Sequence, residues 1–444
     1  MYREVAQNTL IMQLLFCIIT LLGGELCMRY YLCIDFKTFY ASVECVERGL
    51  DPYKVNLVVA DISRGNSTIC LAVSPHMKEL GVKNRCRLFE IPKHIHYIVA
   101  KPRMKLYMEY SANIYGLYLK YLSQEDIYVY SIDEAFLDVT EYLNFYHKNA
   151  QEIAQMIIDD VYRTTGIPAT CGIGTNLYLA KVALDITAKH VKSHMAYLDE
   201  QIYQKTLWEH TPLTDFWQVG RGIAKRLYKL GIVNMKGIAH CPEDILYKEF
   251  GVNARFLIRH AWGKEPVTIQ QIKNYQPQHR SISNGQVLFG EYRDQDALLV
   301  LKEMVEDNVL TLVEQGLVTN HISLHIRYVD ASLPSTGGSR KISVVTNSYR
   351  LLVKEFIDLF ESTTFKSQKI RKISIGFGQV IDERYEAYDL FTDYEEVLKE
   401  RQLQQSIIQI KNKYGKNAVL KAMNVLDKAT AKQRHQLIGG HNAE

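Results

Sequence analysis

Three carboxylates stand where a charge is costly unless it is used. Asp35 closes the short apolar run 30–35 (YYLCID). Asp133-Glu134 falls at the tight connection between two further apolar runs, 127–131 (IYVYS) and 135–139 (AFLDV). A charge at the end of a buried strand needs a partner, and a tight turn ordinarily takes Gly or Asn. Such oxygen donors suit magnesium, which keeps coordination positions for substrate phosphates. Two ions about 3.5–4 Å apart can clamp an in-line phosphoryl displacement, one activating the nucleophile and one holding the leaving group. The plain alternative is a surface turn plus an acid at a strand end. The residues after Asp35, Phe36-Lys37-Thr38-Phe39-Tyr40, open a helix, and helix N-termini favour phosphate oxygens. Tyr40, one turn on, would lie under a nucleotide sugar and exclude a 2′-hydroxyl. The alternative for Phe39 and Tyr40 is helix packing.

For the acids to meet, strands from distant parts of the chain must share a sheet. The patterning predicts strands at 30–35, 56–61, 67–73, 127–131, 135–139 and 169–173, and helices at 39–48, from Ser74-Pro75 onward, at 102–122, 151–162 and 177–188. Pro at the first turn supports the helix after Ser74. This alternation makes the first 200 residues or so an α/β or α+β unit, and one sheet carrying both acid sites is the economical arrangement. Residues 211–265 are helical with glycine punctuation. Within them 216–232 (FWQVGRGIAKRLYKLGI) reads as a helix, a Gly-x-Gly turn and a basic amphipathic helix. After Pro277 strand patterns return at 281–289, 321–328, 341–345 and 369–377, with helices at 299–315 and 348–360, a flexible loop at 332–338, and a charged helical tail beyond Asp389.

At 444 residues and 47% hydrophobic content the chain holds more than one domain. A net charge of +4 permits a nucleic-acid partner only if the basic residues gather on one face. Eight cysteines form no CxxC and no zinc spacing, which fits free thiols in a reducing, cytoplasmic compartment. The apolar run 10–22 is short for a membrane span and has poor flanks for a secretion signal. A start at Met28 is the preferred reading of residues 1–27, and no stable membrane association is expected.

Three runs raise the weight on the acids. Cys33-Ile34-Asp35-Phe36-Lys37-Thr38-Phe39-Tyr40-Ala41-Ser42-Val43-Glu44 resembles the opening motif of the Y-family DNA polymerases. Tyr130-Ser131-Ile132-Asp133-Glu134-Ala135-Phe136-Leu137-Asp138 resembles their second motif, and Cys171-Gly172-Ile173-Gly174-Thr175-Asn176-Leu177-Tyr178-Leu179-Ala180-Lys181 their third. The resemblance runs from about residue 28 to 440, in order and spacing, and is closest to the UmuC-like proteins of Gram-positive bacteria. It implies a multidomain α+β right-hand polymerase: a ferredoxin-like palm with small fingers (28–205), a helical thumb with a helix-hairpin-helix (206–270), an α+β little finger (278–380) and a C-terminal tail (381–444). It further implies an error-prone translesion enzyme of the SOS response, with primer-template DNA and dNTP as substrates.

Residue by residue, the resemblance implies that Asp35 and Asp133 are shared by two Mg2+ ions. Glu134 completes the site as the catalytic acid residue, and the Phe36 carbonyl adds a ligand. Tyr40 is the steric gate, and Lys189 reaches the triphosphate, with one residue more between it and Lys181 than in the DinB branch. The family's fingers Tyr and Arg fall on Pro75 and Lys78. The tyrosine role is therefore lost, and Lys78 stands in for the arginine as a point charge. Ser74 is a further phosphate contact. In the thumb, Gly220 and Gly222 let backbone amides approach a DNA phosphate, with Arg221 and Lys225 nearby; the ordinary alternative is a helix cap. The little finger offers Arg340, Lys341, Lys366, Lys369, Arg371 and Lys372 in local clusters. Tyr388-Asp389-Leu390-Phe391 keeps the Leu390-Phe391 anchor of sliding-clamp ligands, which commonly read Gln-Leu-x-Leu-Phe, but has Ala387 for Gln and Tyr388 for Leu. A UmuD-like partner is compatible. The rival readings are another palm-type nucleotidyl transferase, such as a cyclase, and an inactive accessory protein that binds DNA or the clamp.

Overall fold

The computed structural model describes residues 28–444; the readings of residues 1–27 lie outside them. The chain divides into two compact units, one ending at Tyr275 and one spanning Gln276–Ala443.

The first unit is built on a five-stranded sheet in the order β5 (Ile127–Val129), β6 (Glu134–Asp138), β1 (Tyr31–Phe36), β7 (Ala169–Gly174), β8 (Met195–Leu198). β1 lies at its centre, antiparallel to β6 and β7. Its residues Tyr31–Ile34 are all buried, which explains an uninterrupted apolar run where a half-exposed strand would alternate. Tyr31, Cys33 and Phe136 pack with Leu177, Ala180 and Leu184. This close packing depends on two glycines. A Cβ at Gly172 would stand 2.1 Å from the Ala180 carbonyl oxygen, and one at Gly174 would stand 2.2 Å from the Ala180 nitrogen. The helix Leu177–Val182 therefore lies with its backbone directly on β7.

The first unit also holds a small three-stranded sheet, β3 (Ala72–Val73), β2 (Leu57–Val59), β4 (Ile98–Ala100), over a core that includes Val58, Cys70, Val73 and Met77. The expected strand 67–73 shrinks to Ala72–Val73. Its first half finds only a single bridge, Ile69 to Arg87. The helices Arg221–Lys229, Met235–His240, Glu243–Phe250 and Ala254–Ala261 share one apolar cluster with Tyr178 and Val182. Phe216–Val219 is not the expected helix: Gln218 takes a left-handed φ of 68°, and Phe216 is buried as a plug. The six described cysteines are free thiols, five of them buried. No described helix is long and apolar enough to cross a membrane.

The second unit is a four-stranded antiparallel sheet in the order β11 (Thr336–Thr346), β10 (Leu317–Tyr328), β12 (Ile370–Asp382), β9 (Arg280–Val287), packed by helices Asp294–Glu314 and Tyr349–Thr363. Along β10 the period of two is plain: Ile322, Leu324 and Ile326 are buried, while His325 and Arg327 are exposed. The expected loop 332–338 is shorter, because Gly337 and Gly338 already belong to β11. Gly337 has φ 109°, and a Cβ there would stand 2.1 Å from the Leu324 carbonyl oxygen. The segment after β12 is an integral part of this unit. The helix Tyr394–Tyr414 packs on Asp294–Glu314. Fully buried Glu303 accepts hydrogen bonds from the Thr430 amide at 2.8 Å, the Ala431 amide at 3.1 Å and Asn424 Nδ2 at 3.0 Å.

Candidate active site

Strand pairing brings the acids together. Asp35 stands directly opposite Glu134 on β6 and Thr170 on β7. Residues opposed in an antiparallel pair point to the same face, so Asp35 and Glu134 share a face. Asp133, one residue before β6, is tied to the same spot by its backbone, because the Phe36 amide donates to the Asp133 carbonyl at 3.0 Å. Asp133 Oδ1 accepts from Ser131 Oγ at 2.7 Å. Burial raises the Asp35 carboxyl to about 6; Lys189 opposes that rise, and the charges of Asp133 and Glu134 add to it.

Two lysines answer this charge. Lys181, itself buried, places its Nζ 2.7 and 2.8 Å from the two oxygens of Glu134, which also accepts from Cys33 Sγ at 3.1 Å. Lys189 Nζ lies 3.2 Å from Asp35 Oδ2. Asp185 stands between them, 3.0 Å from Lys181 and 2.9 Å from Lys189. Burial alone would lower both ammonium groups. The surrounding acid groups win and hold both above the usual lysine range, Cys33, Glu134 and Asp185 at Lys181, and Asp35 and Asp185 at Lys189. A π-helical turn, Ala183–Thr187, separates Lys181 from Lys189, a rare local geometry that is frequent at functional sites. The sequence alone assigns no role to Lys181 or Asp185. Their signal was a Lys-Asp-Lys series four residues apart on an otherwise apolar helix.

The donor set fits magnesium: three carboxylates at the ends of adjoining strands, all oxygen ligands, with the charges of Asp133 and Glu134 adding to the cost of charging Asp35. Among the described residues no three His, Cys, Asp or Glu side chains are arranged as a metal cluster. Glu134 is held on Lys181 and Asp133 on Ser131 instead.

The remaining predicted residues divide. Tyr40 lies where the Asp133 charge acts on its hydroxyl; burial first, then Asp133, raises its pKa. Its ring stacks on Tyr107 at 4.6 Å and 19°. Lys78 is pushed down by burial and by Lys189, while the charge of Asp35 pulls it up. Ser74 is fully buried. It donates to the Val55 carbonyl at 2.6 Å and accepts from the Met77 amide at 3.4 Å as the cap of helix Pro75–Glu79, so its hydroxyl is committed to the chain, not turned to a phosphate. Gly220 and Gly222 have open space where a Cβ would be. They begin the helix Arg221–Lys229, whose Arg221, Lys225 and Lys229 line a shallow depression with Thr214 and Tyr228. In the second unit, Leu390 is 100% exposed and Phe391 96%.

The sequence model of the impB/mucB/samB family matches residues 34–185, and that of its C-terminal domain matches residues 279–390. The chain is 31% identical over 419 residues to "Putative UV-damage repair protein UvrX" of Bacillus subtilis, covering 93% of this chain and 97% of that one. It is 29% identical over 417 residues to DNA polymerase IV 2 of the same organism, covering 92% and 97%. A solved Y-family DNA polymerase chimera of Dbh and Dpo4 superposes with a TM-score of 0.62 at 22% identity, over 80% of this chain and 99% of the chimera. On the sheet that pairs Asp35 with Glu134, and on these matches in both units, the chain belongs to the impB/mucB/samB family of UmuC-like Y-family DNA polymerases.

Proposed function

We propose that the protein extends a DNA primer by two-metal nucleotidyl transfer across damaged templates, as an error-prone enzyme of the SOS response. The observation that carries this reading is the in-register pairing of Asp35 with Glu134, with Asp133 tied to the same strand end. In this reading Asp35 and Asp133 hold two Mg2+ ions with Glu134 and the Phe36 carbonyl. Bound there, magnesium would activate the primer 3′-hydroxyl and neutralise the departing pyrophosphate. Glu134 must first leave Lys181, and Asp35 must leave Lys189; the freed ammonium of Lys189 then meets the triphosphate with Lys78. Tyr40 closes off the 2′ side of the sugar. Ser74 serves by fixing the helix that carries Lys78.

Gly220, Arg221, Gly222 and Lys225 grip a phosphate of primer-template DNA through exposed amides and two positive charges. Leu390 and Phe391 dock on a sliding clamp, and a UmuD-like partner fits the same cytoplasmic damage response. The test is primer extension with magnesium on undamaged and lesion-bearing templates. Wild-type extension past the lesion, lost in Asp133→Ala, supports the reading. Extension unaffected by Asp133→Ala would sink it. DNA binding without any extension by the wild type would favour the accessory-protein reading.

A further inference from the structure

Tyr40 is backed by a construction that the three family motifs do not describe. Its ring lies face to face with Tyr107, 4.6 Å away and 19° from parallel. Tyr107 is fully buried, and its hydroxyl donates to Glu44 Oε1 at 2.8 Å. Glu44 sits one turn beyond Tyr40 on the same helix, Phe39–Val46, and its side chain is 0% exposed. Arg103 closes on it as a fork, Nε to Oε1 at 3.0 Å and Nη2 to Oε2 at 2.8 Å, and Arg48 binds Oε2 from the other side. Arg103 and Tyr107 come from the start of the next long helix, Met104–Tyr118, so one carboxylate ties together the two helices that carry the stacked rings.

A buried carboxylate is retained only when its charge is fully answered. Here two guanidiniums and a phenol answer it. Burial would raise the Glu44 carboxyl, but the hydrogen bonds from Arg103, Arg48 and Tyr107 outweigh it and keep the group below the usual range, hence ionised. Tyr107 is pushed the other way by burial and by Glu44, so it remains a neutral donor. The hydrogen bond is charge-assisted and its geometry is fixed at both ends.

We infer that Tyr107 and Glu44 are positioning residues for sugar selection: they hold the Tyr107 ring as a fixed backstop, so that Tyr40 cannot retreat to admit a 2′-hydroxyl. This rests on the reading of Tyr40 as the gate. A gate that can rock backward by a fraction of an ångström discriminates poorly. Packed aromatic rings have no free volume to absorb such a shift, and the Glu44 anchor denies Tyr107 a second resting place.

The experiment measures kcat/KM for a dNTP over that for the matching rNTP, a ratio in which any loss of folded enzyme cancels. Tyr40→Ala is the control on the gate and is expected to lower the ratio about 100-fold. Tyr107→Phe keeps the ring and loses the anchor; it is expected to lower the ratio about 10-fold, the scale of one charge-assisted hydrogen bond. Tyr107→Ala and Glu44→Gln should lower it at least as far, with the ribonucleotide gain read in KM, because the ring governs how the sugar seats. In a Tyr40→Ala background, Tyr107→Phe should change the ratio no further. If Tyr40→Ala leaves the ratio unchanged, the gate reading itself fails. If Tyr40→Ala lowers it while Tyr107→Phe and Tyr107→Ala both stay at the wild-type ratio, the gate stands and the positioning inference is overturned.

Discussion

Lys189 Nζ lies 3.2 Å from Asp35 Oδ2 and 2.9 Å from Asp185 Oδ1. One ammonium is thus shared by an acid proposed to hold magnesium and an acid one helical turn behind it. Lys181 repeats the arrangement between Glu134 and Asp185. A site of crowded carboxylates must be neutralised by something, and here the chain supplies the cations itself.

Burial, with that crowding added to it, gives a prediction about pH. Asp35 has a pKa of about 6 in the fold, against an ordinary value of 3.8. The folded value is the higher one, so the proton stabilises the fold. This contribution is complete below about pH 4 and is lost as pH rises through 6, worth about 3 kcal/mol in metal-free protein. Asp35→Asn removes the charge permanently. In chelator at pH 7.5 it should raise stability by about 1–3 kcal/mol in denaturant melts while abolishing primer extension; near pH 4 the two proteins should melt alike. A variant less stable than wild type at pH 7.5 would show that the Lys189 ion pair, not burial and crowding, dominates.

Two glycine substitutions should part company. At Gly172 a methyl group meets Ala180 and Leu184 backbone atoms 2.1–2.8 Å away. The helix bearing Lys181, Asp185 and Lys189 would have to lift, and Gly172→Ala should cost more than about 3 kcal/mol or prevent folding. At Gly222 a methyl group meets nothing within 4 Å. Gly222→Ala should stay within about 0.5 kcal/mol of wild type, so any loss of DNA affinity it causes is a loss of phosphate contact. Thermal melts and DNA-binding titrations measure the pair; equal melts would refute the close-packing account of β7.

The segment after β12 should behave as a strap. Glu303 is buried with its oxygens filled from Asn424, Thr430 and Ala431, and Arg434 pairs with Asp307 at 2.6 Å. Glu303→Ala leaves those donors unpaired and should cost about 3–5 kcal/mol, with faster protease cleavage between residues 415 and 430. Burial works against the Asp307 charge, but His435 and Arg434 hold its carboxyl below the usual range. Its stabilisation is therefore present above the ordinary carboxylate pKa and is lost as pH falls through the depressed one. Cleavage should accelerate in acid, and a strap equally resistant at low pH and in the variant would refute the anchoring.

What could be read from the sequence follows from how local the information is. Asp35, Asp133 and Glu134 were legible because each sits against apolar residues of its own strand, and their meeting required only that the strands share a sheet. The Ser74-Pro75 helix start was legible as well, but the Ser74 hydroxyl could not be assigned between a cap and a phosphate without seeing Val55 and Met77. Lys181 meets Glu134 across 47 residues, Tyr107 meets Glu44 across 63 and Thr430 meets Glu303 across 127. Each of these depends on tertiary packing that no local pattern encodes. The helix expected at 216–219 failed for the opposite reason: its apolar residues were real, but Phe216 is buried from an irregular backbone.

The clamp reading can be tested on two side chains. Ala387 is pinned to β11 by a hydrogen bond from the Val345 amide at 2.7 Å, and the Tyr388 hydroxyl is held by Glu386 at 3.1 Å. Asp389 then turns the chain, accepting from the Phe391 amide at 3.1 Å and Thr392 Oγ1 at 2.8 Å. The turn leaves Leu390 and Phe391 bare, at 100% and 96% exposure. Adjacent large apolar side chains displayed so completely mark a surface that gains by being covered, and the first two motif positions, already used by the domain, are not free to help. Binding should then rest on two side chains. Leu390→Ala and Phe391→Ala should each weaken affinity for a bacterial sliding clamp by about 10-fold or more, the loss expected when an anchor in a pocket is truncated. Neither should shift the melting temperature, because neither packs on the domain. Calorimetric titration with the clamp decides it: a Kd unchanged in both variants means that this exposed pair serves a different partner.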